Sequence, residues 1–442
     1  MFPLAKRKFP KEPITVRIED ISHEGKGVAR HNDKVVFIAD ALPGEEVIAR
    51  IHKRHRRYDE AHVLEITDFS SLRVKPHCPH FENCGACSLQ HLTSEEQVKF
   101  KQRGLIENIK KMAHLEPKEI MPPLVGGTWG YRRKARLGAR YVSQKDRVLV
   151  GFREKRSSFL ADMNSCEVLV PSVGHHLEEL SQLIYGLSNR QEIPQVEVSI
   201  GDKVQVLIFR HLTPLTDEDH EKLRAYGEQH GFQIHLQPGG ADTIHCIWPE
   251  NPEPLSYSLP DYGVTMQFMP SDFTQVNNEI NRKMIPLALE LLDIQKDDTV
   301  MDLFCGLGNF SLPLATKAAH VIGVEGDEGL VQRARDNAKR NNIENIEFHT
   351  ANLYEDFSNL PWAKQKVDKI LLDPPRSGAF EVAQYLKKFQ PKRIVYVSCN
   401  PATLARDIDE IVNKQGYKML KVGVMDMFPH TAHVESIAVF EK

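Results

Sequence analysis

From Met266 to the C-terminus the chain keeps one rhythm: a short apolar run, a polar or glycine-bearing loop, then an amphipathic stretch. The runs include Thr299-Val300-Met301-Asp302-Leu303-Phe304, Val321-Ile322-Gly323-Val324-Glu325 and Ile346-Glu347-Phe348-His349-Thr350. Two more, Ile370-Leu371-Leu372 and Arg393-Ile394-Val395-Tyr396-Val397-Ser398, end at Asp373 and Cys399. Helices are expected through Leu314-Ala315 and from about Gly329 to Asn341. This alternation predicts parallel strands, because only a long crossover, usually helical, can join parallel neighbours. The tail adds Lys418–Met425 and Ser436–Phe440, so a Rossmann-like seven-stranded α/β sheet is expected over 263–442. Parallel topology sends successive strand tips to one edge, where open sheets of this class bind ligands.

Several residues at that edge carry chemistry. Cys305-Gly306-Leu307-Gly308-Asn309-Phe310 follows the first run, and Glu325 ends the second. Glycines allow close approach of the backbone, and a carboxylate at the next tip accepts ribose hydroxyls, a combination generic for nucleotide-type ligands. Asp302 before the glycines, and Ser311 where a third glycine would stand, favour S-adenosylmethionine over NAD. Asp373-Pro374-Pro375 looks like an element of methyltransferases that act on nucleobases. Cys399 precedes Asn400-Pro401, a capping residue and a first-turn proline. The N-terminus of the helix they start is expected to lower the pKa of the thiol toward the nucleophilic thiolate.

Residues 10–68 carry about five short strands with glycine turns, which predicts a small barrel of the OB type, an oligonucleotide-binding architecture. Lys53-Arg54-His55-Arg56-Arg57-Tyr58 adds charge and an aromatic ring for stacking. The turns Gly25-Lys26-Gly27-Val28-Ala29-Arg30 and Ala41-Leu42-Pro43-Gly44-Glu45 resemble those of a TRAM domain, a small RNA-binding barrel.

Residues 69–262 form the expected central α+β domain, with a helical part near 93–120 that would pack on the C-terminal domain. Cys78, Cys84 and Cys87 fall within ten residues, and Cys166 offers a fourth thiol. Four thiolates suit a [4Fe–4S] cluster or structural zinc; His77, His80 and His91 keep zinc open, whereas the wide first gap and Gly85 favour the cluster. The net charge of −3 hides an asymmetry, since Gln97–Arg156 holds 16 Lys and Arg against 5 Asp and Glu. Such a surplus is an electrostatic footprint for phosphates. Within it, Tyr131–Gly138 alternates like a strand with basic side chains on one face. No apolar run is long enough to span a membrane, and Met1–Lys8 lacks the apolar stretch of a signal peptide, so a cytoplasmic location is expected.

Taken together, these elements resemble the RNA uridine-C5 methyltransferase family, and within it the bacterial 23S rRNA branch with a TRAM domain and a [4Fe–4S] cluster. The matching stretches are the four cysteines, Tyr131-Arg132-Arg133-Lys134, Phe273-Thr274-Gln275-Val276-Asn277, Asp302–Asn309, Asp373-Pro374-Pro375-Arg376, Ser398-Cys399-Asn400-Pro401 and His433-Val434-Glu435. The resemblance implies that Cys78, Cys84, Cys87 and Cys166 hold the cluster. It implies that Gln275, Phe304, Asn309, Glu325, Asn352 and Asp373 line the S-adenosylmethionine site, with Cys399 as nucleophile and Glu435 as base. The implied substrate is a flipped uridine in a 23S rRNA loop, uridine 1939 in conventional numbering, and the implied enzyme is a monomer with no obligate protein partner.

The reaction needs these residue types. Uracil C5 is a weak nucleophile until a thiolate adds at C6, and a carboxylate must then remove the C5 proton so that the thiol can leave. His430 and His433 would contact phosphate or close the loop, and Cys246 and Cys305 are left to packing. Other 23S rRNA uridines, tRNA, and a non-catalytic RNA-binding assembly role stay open as alternatives. A DNA cytosine-C5 enzyme would carry Pro-Cys where this chain has Ser398-Cys399.

Overall fold

The computed structural model describes residues 12–442; the stretch Met1–Lys8 and the first two residues of the expected barrel lie outside the described residues. The first unit comprises β1 (Ile14–Arg17), β2 (Asp20–Ile21), β3 (Gly27–His31), β4 (Lys34–Ala39), β5 (Glu46–Arg54) and β6 (Tyr58–Asp68), ordered β1-β5-β6-β4-β3-β2. Six strands form where about five were expected. The Gly27–Arg30 stretch, read as a turn, pairs along β4 from Gly27↔Ile38 to His31↔Lys34. Alternating apolar side chains such as Ile14, Val16, Ala29, Ile38 and Val47 fill its core.

The middle of the chain contains α1 (Ser94–Asn108), β7 (Glu119–Ile120), β8 (Lys134–Val142), β9 (Arg147–Gly151), α2 (Pro171–Gly174) and α3 (Leu177–Tyr185). It continues with β10 (Gln195–Ile200), β11 (Gln205–Arg210), α4 (Asp217–His230), β12 (Gln233–Gln237) and β13 (His245–Trp248). Its sheet runs β13-β12-β11-β10-β8-β9. The basic stretch enters strand only at Lys134, and Arg136 and Arg140 stand on its exposed face. Arg133 is instead paired with Asp202 at 2.7 Å, and Lys134 donates to the carbonyl of Asp272.

A hairpin, β14 (Ser256–Leu259) and β15 (Val264–Gln267), leads into the C-terminal domain. The expected boundary at 262/263 falls inside its turn, and Tyr257 and Leu259 pack with the C-terminal core. Then come α5 (Asn278–Leu292), β16 (Thr299–Leu303), α6 (Ser311–Ala315), β17 (His320–Glu325), α7 (Glu328–Arg340), β18 (Ile346–Thr350) and β19 (Lys369–Leu372). The chain ends with α8 (Phe380–Phe389), β20 (Arg393–Ser398), α9 (Pro401–Ile408), β21 (Lys418–Met425) and β22 (Glu435–Glu441).

The large sheet runs β18-β17-β16-β19-β20-β22-β21-β7. It has an eighth strand beyond the seven expected, since β7 lies parallel to β21 through Glu119↔Lys421 and Ile120↔Val422. That short segment covers the backbone of an otherwise open edge, and no local sequence pattern announces it. Apolar layers cover both faces: Val300 and Val395 pack with Ile285 of α5 and Val331 of α7 on one side. On the other, Ile394 and Tyr396 pack with Leu386 of α8 and with Val98 and Leu105 of α1. Among the described residues, no helix is long and apolar enough to cross a membrane.

Candidate active site

The parallel strands β16, β17, β19 and β20 end at one edge, and the loops beyond them build the site. After β16 the chain turns sharply: Phe304, Gly306 and Gly308 have φ of +66°, +54° and +89°. A Cβ on Gly308 would stand 2.5 Å from Leu312, so only glycine fits this turn. After β19, the carbonyl of Arg376 accepts from Asn400 Nδ2 at 3.0 Å and Thr403 Oγ1 at 3.2 Å, which ties the Asp373 loop to the start of α9. Asn400 caps α9 by accepting from the Ala402 N–H, and Pro401 takes its first turn. Because β22 runs antiparallel to β20 with Ser398↔Ser436 in register, its first residue, Glu435, comes to the same edge.

One cavity of about 520 Å³ brings together every residue expected at the cofactor and at the reacting base: Gln275, Phe304, Asn309, Glu325, Asn352, Asp373, Cys399 and Glu435. Glu325 accepts from the Gly306 N–H at 3.1 Å and the Gly326 N–H at 2.7 Å, so its carboxylate is fixed by the turn beside it. Asn309 accepts from Tyr257 Oη at 2.8 Å and exchanges hydrogen bonds with Asn281 at 2.9 and 3.0 Å. Asn352 accepts from the Tyr354 N–H at 3.1 Å, and the Tyr354 ring lies 5.8 Å from that of Phe304.

Tyr257, Asn281, Tyr354 and Phe428 were missed in the sequence. Nothing local marks Tyr257, which reaches the cavity from the hairpin that precedes the domain. Arg376 and His433 also line the cavity, with Arg376 Nη2 3.3 Å from His433 Nδ1. His430 is buried and stacked on Trp129 at 3.8 Å, so it has no access to a phosphate.

The electrostatics reverse one expectation. Burial pushes the Cys399 thiol up to about 11, with Glu435 and Asp373 adding to the rise and Arg376 opposing it. The partial charge of a single short helix is outweighed by desolvation and two carboxyl neighbours. Burial also raises Asp373 to about 7, and burial with Asp373 beside it holds Glu435 well above the usual carboxylate range. These three groups cannot all ionise together near neutrality. Behind it, Asp302 is fully buried and raised to about 8; it accepts from Ser311 Oγ while its second oxygen is orphaned.

A second pocket holds the other thiols. Cys78, Cys84, Cys87 and Cys166 line one small cavity with Phe81, Met163 and Val168. All four are buried, and desolvation raises Cys87 to about 12 and Cys166 to about 11. A broad groove of about 870 Å³ lies elsewhere on the central domain, lined by Arg136, Arg140, Arg153, Tyr141 and Phe159.

Comparison with known proteins gives a consistent set of relatives. The family model described as tRNA (Uracil-5-)-methyltransferase matches residues 199–442, and that of the TRAM domain matches residues 7–64. The chain is 52% identical over 442 residues to the 23S rRNA (uracil(1939)-C(5))-methyltransferase RlmD of Hahella chejuensis, covering 99% of each. It is 51% identical to the protein of that name in Alkalilimnicola ehrlichii, over 99% of this chain and 98% of the relative. Among solved structures, the Pyrococcus abyssi tRNA (uracil-54, C5)-methyltransferase, in complex with S-adenosyl-L-homocysteine, shares the fold. Its TM-score is 0.74 at 23% identity, over 97% of this chain and 100% of that one.

Proposed function

The chain belongs to the tRNA (uracil-5-)-methyltransferase family, and from that premise we propose that it transfers a methyl group from S-adenosylmethionine to C5 of uridine 1939 of 23S rRNA. The observation that carries the reading is a single cavity lined by a thiol, two carboxyls and the turn residues expected to hold the cofactor. S-adenosylmethionine supplies its methyl on a positively charged sulfur, and with Arg376 that charge favours loss of the Cys399 and Glu435 protons to solvent, which leaves a thiolate to add and a carboxylate to accept the C5 proton.

Cys399 Sγ bonds to uracil C6, and the ring electrons move onto the O4 side as an enolate. C5 then bonds to the methyl carbon, whose bond to sulfur breaks with the pair going to the departing thioether. Glu435 takes the remaining C5 proton, the C5–C6 double bond returns, and Sγ leaves as thiolate. Asp373 and Gln275 hold the uracil edge and the transferring methyl in line. A base inside a stack cannot reach Cys399, so the uridine is flipped into the cavity. The hairpin around Arg54–Tyr58 and the groove with Arg136 and Arg140 are suited to grip the RNA, since both join cations to aromatic rings.

Cys78, Cys84, Cys87 and Cys166 fit a [4Fe–4S] cluster. The pocket offers four thiols among Phe81, Ala86, Met163 and Val168, with Gln90 and Glu167 as its polar neighbours. When bound, the cluster would tie the Cys78–Cys87 segment to Cys166, and no step of the methyl transfer needs it.

The test is labelled methyl transfer to 23S rRNA, with the product mapped at position 1939. RNA with 5-fluorouridine at that position should form an adduct that survives denaturation, because fluorine cannot leave as a proton does. Label on another nucleotide, or no adduct from an active preparation, would refute the reading.

A further inference from the structure

The loop between β21 and β22 is held almost entirely by a distant part of the chain. Met425 pairs with Glu435 at its foot, while Phe428 and His433 from the loop line the cavity. Lys101 of α1 donates to Asp426 at 2.6 Å and to the Phe428 carbonyl at 2.9 Å. Gln97, one turn earlier, accepts from the His430 N–H at 2.8 Å. The His430 carbonyl accepts from the Ser88 and Leu89 N–H groups at 2.9 and 3.0 Å, and Ser88 Oγ accepts from the Ala432 N–H at 3.1 Å. Tyr131 Oη donates to the Pro429 carbonyl at 3.0 Å, and Trp129 stacks on the His430 ring.

Two features separate this arrangement from ordinary packing. The Lys101 and Asp426 side chains are 1% and 4% exposed, and Lys101 is buried on α1 together with Val98 and Leu105. A buried ion pair rarely adds stability over an apolar pair of similar volume, but it defines one geometry. His430 sits at φ +67°, a strained conformation for a side chain of its size, and persists because its surroundings fix it from several sides.

We propose that Gln97, Lys101 and the Ser88–Leu89 backbone form a clamp that sets the Asp426–Val434 loop, so that Gln97 and Lys101 are positioning residues for resolution of the covalent RNA adduct. The inference rests on Cys399 as nucleophile and Glu435 as base. Cys399 stands on the β20 tip, and the residues assigned to the cofactor stand on other loops, so none of them hangs on this clamp. Glu435 stands at the foot of the clamped loop and acts only after the methyl group has moved. Loosening the clamp should therefore spare the first methyl transfer and slow the proton removal that releases the RNA.

The test uses Gln97→Leu, which removes the hydrogen bonds at similar volume, and the double variant Lys101→Met with Asp426→Asn, which leaves no charge buried alone. Turnover should fall about tenfold to a hundredfold, the usual scale for a small misplacement of a reacting group, while the single-turnover methyl transfer changes far less. A methylated protein–RNA species that resists denaturation should accumulate with ordinary uridine RNA, and amide exchange in 426–434 should rise. Both rates falling together without that species, or kinetics and exchange unchanged, would overturn the clamp. No 5-fluorouridine adduct even in the unsubstituted protein would instead count against the nucleophile assignment.

Discussion

Two pockets in this molecule hold buried thiols, and burial pushes both sets the same way. Cys87 and Cys166 rise to about 12 and 11 in one, and Cys399 rises to about 11 in the other. Their company differs. In the central domain four thiols share a small pocket with Phe81, Met163 and Val168 and with the polar Gln90 and Glu167. At the sheet edge a single thiol faces an open cavity, with Glu435, Asp373 and Arg376 around it. A raised thiol pKa thus identifies neither pocket. On the proposed function what arrives decides: iron would displace the protons in the first, and a sulfonium cation would do so in the second. On that reading the first pocket holds its ligand and the second turns over.

The sharpest way to break this comparison is Cys399→Ala. Methyl transfer should fall by about 10⁴-fold or more, since an essential nucleophile is lost outright, and 5-fluorouridine RNA should give no adduct. Residual turnover within tenfold of the parent would remove Cys399 from the chemistry. Glu435→Gln comes next. Loss of a general base should slow turnover by about 10² to 10⁴-fold, yet one methyl group per enzyme should still move and stay covalently attached. If the variant releases methylated RNA at the parent rate, the base lies elsewhere.

A third substitution addresses the holding pocket. Cys166→Ser should lower bound iron and the midpoint of thermal unfolding, while adduct formation with 5-fluorouridine RNA in the folded fraction continues near the parent rate. Loss of adduct formation with intact iron would reverse the roles assigned to the two pockets.

Much of this contrast could be read along the chain, and the parts that could not share a cause. The strand β21, Lys418–Met425, falls where it was expected to the residue, because apolar runs bounded by glycine and polar turns are local signals. The loops carrying Phe304, Asn309, Asp373 and Cys399 follow from the same pattern, since parallel strands share an edge. Glu435 needed β22 to return antiparallel to β20, and only the family resemblance supplied its role. Lys101 and Asp426 meet from 325 residues apart, and Tyr257 and Asn309 from 52 apart, so no window contains both partners. The thiol's titration was misjudged for that reason too. The helix start at Asn400-Pro401 is local, whereas the carboxyls that outweigh it arrive from two other strands.

The smallest expected effect concerns protons rather than turnover, and it tests whether burial alone sets the charge state of the second pocket. Asp302 is raised from 3.8 to about 8. Between about pH 4 and pH 8 the folded chain therefore binds a proton there that the unfolded chain has lost, and the stability this group contributes falls as pH rises through that window. The change is at most about 1.4 kcal/mol per pH unit for one such group. Asp373, raised to about 7, acts in the same direction over the lower part of the window. Depressed carboxylates elsewhere, such as Glu60 at about 2, are ionised in both states above about pH 5. Buried histidines such as His91 and His430, lowered from 6.5 to about 3 and about 4, act in the opposite direction up to about pH 6.5, so the effect of Asp302 is read from the difference between parent and variant. In Asp302→Asn the side-chain oxygen can still accept from Ser311 Oγ, but no proton is exchanged. Thermal midpoints of the cofactor-free protein measured from pH 5.5 to 7.5 should show a more positive slope with pH in the variant than in the parent. Equal slopes would mean that Asp302 is ionised in the folded chain, and that burial behind the glycine turn is not what governs protonation in this pocket.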